Sequence, residues 1–242
     1  ADHPRHGHRA RRHFGGPRGF FVPAHSDRGE SRRSIIRAGH FWNSMVPCFS
    51  QGLTRADRPE VKVGDSWVFQ SSDVRTGEKR PETTHTVSEI APDTIIVTTG
   101  AGTRTYTRDW NLVEVKTGDT ITAAAKPFWP NLQFPLEVGK KWEQQYESMI
   151  RGGQRTYRGQ RTLQVIGVET VTVPAGKFET FKIRQQGYYQ GSSVSGNWSG
   201  TWDKTVWYSP AAKREVKEEF EDRSGSYYNH EISELKSLIL TQ

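Results

Sequence analysis

The chain has 242 residues, of which 34 are Lys or Arg and 27 are Asp or Glu, and its formal net charge is +7. Its one cysteine, Cys48, excludes an intrachain disulfide and a metal cluster built from cysteines. The sequence has no run of about eighteen apolar residues, so no transmembrane helix of ordinary length is predicted.

The first 58 residues differ in composition from the rest and are predicted to be disordered. They hold eleven Arg, no Lys and four acidic residues, and they show no period of 2 or 3.6. This composition is typical of a GC-rich strand translated upstream of the true start, so we interpret the segment as a mis-assigned start or the remnant of a leader. Thr54 and Ala56 would suit a signal peptidase that cuts before Asp57, but no intact signal peptide is readable.

An alternative for residues 1–58 is an Arg-rich arm that binds nucleic acid through its phosphates. Residues 59–242 carry 23 basic and 23 acidic residues, so this part of the chain has no electrostatic preference for a polyanion. Nucleic acid is therefore the less favoured partner.

From Val61 onward, apolar and polar residues alternate between turn signals, which predicts a β domain over residues 59–242. A long loop is expected over Thr122–Pro135, because three prolines there cannot donate a ladder hydrogen bond. The predicted strands are Ser66–Ser71, Thr83–Ile90, Thr94–Thr99, Thr103–Arg108, Leu112–Lys116, Trp142–Met149, Thr156–Thr172, Phe178–Gln186, Gly196–Tyr208, Glu215–Phe220 and Tyr227–Leu235.

A short internal repeat suggests two related halves, over about residues 61–126 and 136–242. Val61–Trp67 and Leu136–Trp142 both read apolar-x-Val-Gly-x-x-Trp, with a glycine that can take the positive φ of a tight turn before a Trp that enters a strand. The predicted fold class is all-β, an antiparallel sandwich or a partly open barrel.

Two motifs carry a resemblance to a known family. In VTVPAGKFETFKI, which starts at Val171, Pro174 and Gly176 predict the turn of a hairpin; TVWYSPAAKREVK starts at Thr205. Together with the Val-Gly-x-x-Trp unit ahead of them, they resemble an uncharacterised family of bacterial secreted or periplasmic β proteins, some of which are lipoproteins.

The resemblance covers about Val61–Glu221. It implies an antiparallel β fold, a periplasmic or secreted location and no established catalytic residues. Family members tend to have a glycine in the turn after Pro210, where this chain reads Ala211-Ala212-Lys213, so the geometry of that turn departs from the pattern.

A cluster of aromatic residues is the candidate ligand site. On a strand, Trp198 and Trp202 share one face while Trp207 points to the other. Trp198 and Trp202, together with Tyr188 and Tyr189, are interpreted either as the wall of an apolar or sugar-stacking pocket or as part of the packed core. Packing in the core is the commoner role of such residues.

Two pairs of carboxylates could support acid–base catalysis, namely Glu143 with Glu147 and Glu219 with Glu221. Their basic neighbours are more typical of a solvated, salt-bridged surface. No metal site and no cofactor is predicted, and tryptophans and valines are expected to point inward with no reactive groups among them.

The leading functional hypothesis is a non-catalytic module of the bacterial envelope that binds an apolar ligand, a glycan or a partner protein. The alternatives are a carbohydrate-active enzyme of the envelope that uses paired carboxylates and nucleic-acid binding through the N-terminal arm.

Overall fold

Strands make up most of residues 52–100 and 102–242, the ranges that a computed structural model describes. The strands are β1 Arg55–Ala56, β2 Ser66–Asp73, β3 Thr83–Ile90, β4 Thr94–Thr99, β5 Gly102–Thr107, β6 Leu112–Thr117, β7 Thr120–Trp129, β8 Leu136–Glu137, β9 Lys141–Ile150, β10 Arg155–Val173, β11 Gly176–Ser193, β12 Gly196–Ser209, β13 Arg214–Ser224 and β14 Tyr227–Ile239. Within these ranges no helix is long and apolar enough to cross a membrane.

The strands form a closed antiparallel barrel. Each of β2 to β7 and β9 to β14 pairs with the next of these strands, and β14 pairs with β2 to close a ring of twelve. The short strands β1 and β8 pair with each other in a separate two-stranded sheet. The all-β antiparallel class is confirmed. The predicted architecture is matched only in part: the fold is a barrel and not a sandwich, but the barrel is closed, because pairing of the last strand with β2 leaves the ring without a free edge.

All eleven predicted strands are present, and three strands were missed. The expected loop over Thr122–Pro135 is wrong in its first part, because β7 continues to Trp129. Pro127 fits in this strand because the ladder between β6 and β7 is irregular: Trp129 pairs with Leu112 and Ala124 with Glu114, so the residues between them lie in a register shift.

The two Val-Gly units fold into the same turn. Gly64 has a φ of 93° and donates its N–H to the carbonyl of Val87; Gly139 has a φ of 90° and donates to the carbonyl of Val165. The first unit leads into β2 and the second into β9, and each of these strands begins a run of six consecutive barrel strands.

Residues 1–51, where most of the predicted disorder and of the Arg-rich arm falls, lie outside the described residues. The remainder of the expected N-terminal segment includes β1, which pairs with β8, and Ala56 of β1 is buried.

The interior changes character along the barrel axis. The base is the end that carries the turns at 174–175 and 210–213, and fully buried apolar side chains such as Trp67, Leu136, Phe181, Val206 and Leu235 fill it. The mouth is the opposite end and carries the turns at 151–154, 194–195 and 225–226, whose residues are exposed. The barrel is therefore packed at one end and open at the other.

Candidate functional site

A cavity of about 830 Å³ lies inside the mouth. Eight of its seventeen lining residues are aromatic, and four serines, three arginines (Arg151, Arg155 and Arg161) and Asp222 supply polar groups. The aromatic lining residues are Trp129, Tyr146, Tyr157, Tyr189, Trp198, Trp202, Phe220 and Tyr227.

Glycines on neighbouring strands let these rings lie against the sheet. In the register of β11 and β12, Gly187 faces Trp202, Gly191 faces Trp198 and Gly200 faces Tyr189. A β-carbon at these glycines would lie 2.4, 2.2 and 2.5 Å from the opposing aromatic side chain. Because contacts that short do not occur between real atoms, each ring occupies the space that a side chain would otherwise take.

A fourth pair extends this arrangement to the neighbouring strands. Gly159 of β10 faces Tyr146 of β9, and a β-carbon at Gly159 would lie 2.5 Å from the tyrosine ring. Tyr157 then contacts Tyr189 and Trp198 edge-on, with ring centroids 5.7 and 5.6 Å apart. The rings thus form a connected wall and leave the axis of the barrel open.

The structure brings together three of the four predicted site residues. Tyr189, Trp198 and Trp202 all line the mouth cavity. Tyr188 has the opposite orientation: it is 55% exposed on the outer face, where its hydroxyl lies 3.0 Å from Oε1 of Gln160. Neighbouring residues on a strand point to opposite faces, so Tyr188 and Tyr189 could not both belong to one pocket.

Trp202 and Tyr189 line the mouth cavity and are buried at the same time, so they combine the two roles considered for them. Trp202 is 5% exposed and Tyr189 is also buried, although both line the cavity. Burial, together with the nearby charge of Asp222, raises the pKa of Tyr189 to about 12. The phenol therefore stays protonated and donates to Oδ1 of Asp222 at 3.0 Å.

Arg161 forms the floor of the mouth cavity. Its guanidinium carbon lies 4.2 Å from the centroid of the Trp202 ring and 5.3 Å from that of Tyr146, and one terminal nitrogen donates to the carbonyl of Pro130 at 2.6 Å. Arg161 and Trp129 also line a second cavity of about 480 Å³, further toward the base. We call this second cavity the charged chamber.

The charged chamber overturns the expectation that no reactive groups gather inside the barrel. Besides Arg161 and neutral residues, its lining includes charged residues from four other strands, β5, β12, β13 and β14. They are Arg104, Lys204, Arg214, Glu215, Lys217, Glu218 and Glu231. The sequence pattern hid them, because β13 carries charged residues on both faces and alternation alone does not tell which face is inward.

Three ion pairs neutralise much of this charge. Lys204 lies 2.6 Å from Glu218, and Arg214 lies 2.8 Å from Glu215. Glu231 lies 3.2 Å from Arg80, which precedes β3. The acidic side chains of the chamber are therefore all paired with cations.

Arg214 and His85 connect the chamber to the packed base. Arg214 is 2% exposed, and its guanidinium carbon lies 4.4 Å from the Trp110 ring centroid and 5.3 Å from that of Trp67. It also lies 3.3 Å from Nδ1 of His85. Burial, and then the charges of Arg214 and Arg104, lower the pKa of His85 to about 2, so the imidazole is neutral and its Nδ1 accepts from Arg214.

The two carboxylate pairs considered for catalysis are not part of the lining of the mouth cavity. Glu143 and Glu147 are exposed on the outer face of β9, where Glu147 pairs with Arg158 at 3.0 Å. Glu219 and Glu221 share the outer face of β13, and Glu219 lies 2.8 Å from Nε2 of His230. Their strands turn the alternate residues inward, so these carboxylates lie on the outer face.

Metal binding finds no support in the described part of the chain. Across residues 52–100 and 102–242, no group of three or more His, Cys, Asp or Glu side chains is arranged to hold a metal ion.

Comparison with known proteins gives similarity to solved structures only. No protein-family model and no curated protein matches the chain. A candidate lipoprotein from Parabacteroides distasonis is 13% identical with a TM-score of 0.45, over 76% of this chain and 98% of that one. A candidate exported protein with a YmcC-like fold from Bacteroides fragilis is 13% identical with a TM-score of 0.44, over 76% and 99%.

The hypothetical lipoprotein YmcC from Escherichia coli is 9% identical, with a TM-score of 0.46 over 76% of this chain and 91% of that one. The lipoprotein and exported-protein assignments apply to those three proteins.

Proposed function

We propose that this chain is a non-catalytic binding module of the bacterial envelope, which holds the ring or apolar face of a small ligand inside the mouth of its barrel. The observation that carries the proposal is the set of three aromatic side chains, Tyr189, Trp198 and Trp202, each laid against a glycine around one cavity. The envelope location is the one that the hairpin motifs imply by resemblance.

The size and the chemistry of the cavity suit a small molecule. Its volume of about 830 Å³ lies in the usual range for ligand sites, about 300–1,000 Å³. Aromatic faces bind apolar groups and the C–H faces of sugars, while Arg155, Asp222 and the serines supply a few polar contacts. The three rings point inward, so a small molecule fits this site better than the surface of a partner protein does.

The rings are also fixed before a ligand arrives. Each is confined by the backbone of its opposing glycine, and Tyr189 is held further by its hydrogen bond to Asp222. A preorganised wall loses little side-chain freedom on binding, which favours affinity without large conformational change. Shape and ring faces are sufficient for this task, and no reacting group is required.

Tryptophan fluorescence can test the proposal with two neutral probes, N-phenyl-1-naphthylamine for apolar ligands and maltotriose for glycans. We expect one of them to bind saturably to the wild-type chain, and the one that binds identifies the ligand class. Trp198→Ala and Tyr189→Ala should each weaken that binding about tenfold, since a stacking contact contributes about 1–1.5 kcal/mol.

Tyr188→Ala is the matched control, because it removes the neighbouring ring on the outer face and should leave binding unchanged. Thermal unfolding shows whether each variant is folded. Failure of both probes to bind, or equal weakening by Tyr188→Ala and Tyr189→Ala, would overturn the proposal.

A further inference from the structure

We infer that the ligand carries an oxyanion, a carboxylate or a phosphate group, which binds Arg161 at the floor of the mouth cavity. The inference rests on the proposed function and adds the chemical class of the ligand. It depends on the position of Arg161, on its unused hydrogen-bond donors and on the balance of charge in the chamber below it.

Arg161 is placed where a ligand in the mouth would meet charge. It lines both the aromatic mouth cavity and the charged chamber, and its guanidinium stacks over the ring of Trp202. A ligand whose ring lies against Trp198 or Trp202 can therefore direct a substituent along the barrel axis to Arg161. Ring and anion would be bound by adjacent parts of one continuous wall.

The guanidinium of Arg161 keeps donors free for such a group. Its Cζ lies 4.2 Å from the Trp202 ring centroid, and a guanidinium carries five N–H donors in its own plane. One terminal nitrogen donates to the carbonyl of Pro130, and the buried Nε has no hydrogen-bond partner. An unpartnered buried donor costs free energy, and a planar oxyanion accepts two N–H bonds from one guanidinium edge.

The balance of charge in the chamber also favours a bound anion. Its three carboxylates are already paired with Lys204, Arg214 and Arg80. Among the residues that the structure describes, neither Arg161 nor Arg104 has a carboxylate within 4.0 Å, and the Nε of Arg104 is also buried without a partner. Burial lowers the pKa of Arg161, and Tyr146 and the more distant charge of Glu218 offset this only in part. A bound anion would supply the missing charge.

A matched pair of probes tests the inference. 8-Anilinonaphthalene-1-sulfonate and N-phenyl-1-naphthylamine share a ring system, but only the first carries an oxyanion. We expect the wild-type chain to bind the sulfonate at least tenfold more tightly than the neutral amine. Arg161→Met, which keeps an unbranched apolar stem, should reduce this preference about tenfold and leave binding of the amine within threefold.

Arg158→Met is the control, since Arg158 lies on the outer face of the same strand in a pair with Glu147. It should keep the preference for the sulfonate. Displacement of the bound sulfonate by benzoate or by phenyl phosphate then distinguishes a carboxylate ligand from a phosphate ligand, and benzyl alcohol, which is uncharged, should displace it at least tenfold less effectively than the better of the two.

If Arg161→Met does not unfold cooperatively, Arg161→Lys takes its place and should bind the sulfonate three- to tenfold more weakly, because an ammonium cannot make the two-pronged contact. An unchanged preference for the sulfonate in the folded Arg161 variant overturns the inference. Binding of the amine without any preference for the sulfonate in the wild type overturns it too, while leaving the proposed function standing.

Discussion

Trp202 covers Gly187 so closely that a β-carbon on the glycine would lie 2.4 Å from the indole ring. The two residues are direct partners across β11 and β12. Since the ring can lie against the sheet only where its partner has no side chain, the glycine determines the width of the cavity as much as the tryptophan determines its chemistry.

Replacing that glycine should therefore close part of the site. We expect Gly187→Ala to push the Trp202 ring toward the barrel axis, to weaken binding of N-phenyl-1-naphthylamine or maltotriose about tenfold, and to lower the free energy of unfolding by about 1–3 kcal/mol through overpacking. Fluorescence titration and urea unfolding measure the two effects. Gly167→Ala is the control, because a β-carbon there meets nothing within 4 Å and should change neither quantity.

His85 should make the free energy of unfolding depend on pH. This dependence should appear at pH values higher than those at which carboxylates titrate. Its folded pKa of about 2 lies far below the unfolded value of about 6.5, so the unfolded chain takes up a proton that the folded chain excludes. This contribution to stability is present above pH 6.5 and is lost as pH falls below it, by about 1.4 kcal/mol per pH unit.

Urea unfolding at pH 7.5, 6.0 and 5.0 measures this loss. His85→Gln should reduce the slope between pH 6.0 and 5.0, whereas His230→Gln, a change on the outer face, should retain it. An equal slope in wild type and His85→Gln would show that the imidazole is not held neutral.

Asp65 is expected to be a strong stabilising residue at the base. Burial disfavours its carboxylate, but hydrogen bonds from Thr241, Lys62 and Lys213 outweigh that cost and hold its pKa below the usual value. Its oxygens lie 2.7 Å from the Thr241 nitrogen, 2.9 Å from the Lys62 nitrogen and 3.0 Å from the Lys213 ammonium. One side chain thus joins three separate segments of the chain.

Asp65→Asn removes the charge and turns an acceptor into a donor, so we expect the free energy of unfolding to fall by about 3 kcal/mol in urea at pH 7. The exposed pair of Asp203 with Arg184, at 3.4 Å, provides the comparison, and Asp203→Asn should cost less than about 1 kcal/mol. Equal effects of the two changes would contradict the role assigned to Asp65.

Arg214 and Glu215 should be coupled. Arg214→Met leaves a buried carboxylate without its cation and is expected to cost about 3–5 kcal/mol. The double variant Arg214→Met with Glu215→Gln should be more stable than the sum of the single changes predicts, because it leaves no unpaired charge. A double-mutant cycle in urea measures the coupling, and additive effects would contradict it.

The alternation of residues was sufficient to predict eleven of the twelve barrel strands and the orientation of Trp198, Trp202 and Trp207. It missed the ten-residue β7, where the prolines from Pro127 onward indicated a loop. It did not predict closure, because pairing between β14 and β2 joins segments far apart in sequence and has no local signal. The two-residue strands β1 and β8 are too short to show any period.

Only part of the candidate site could be predicted from the sequence. The alternation of Gly187, Tyr189 and Gly191 along β11 matches that of Trp198, Gly200 and Trp202 along β12 when the turn at Val194 and Ser195 sets the register, so the ring-on-glycine pairs could have been found from the sequence. Arg161, between Gly159 and Leu163, carries no such signal. Its position over Trp202 depends on packing between strands that are not neighbours in the ladder.

The pairing of β14 with β2 also has a consequence for synthesis. Until the segment around Leu235–Ile239 has left the ribosome, β2 has no partner on one side, and the growing sheet presents an open hydrogen-bonding edge. The barrel can close only after translation of its last strand, so until then the nascent sheet must be kept from pairing with other chains.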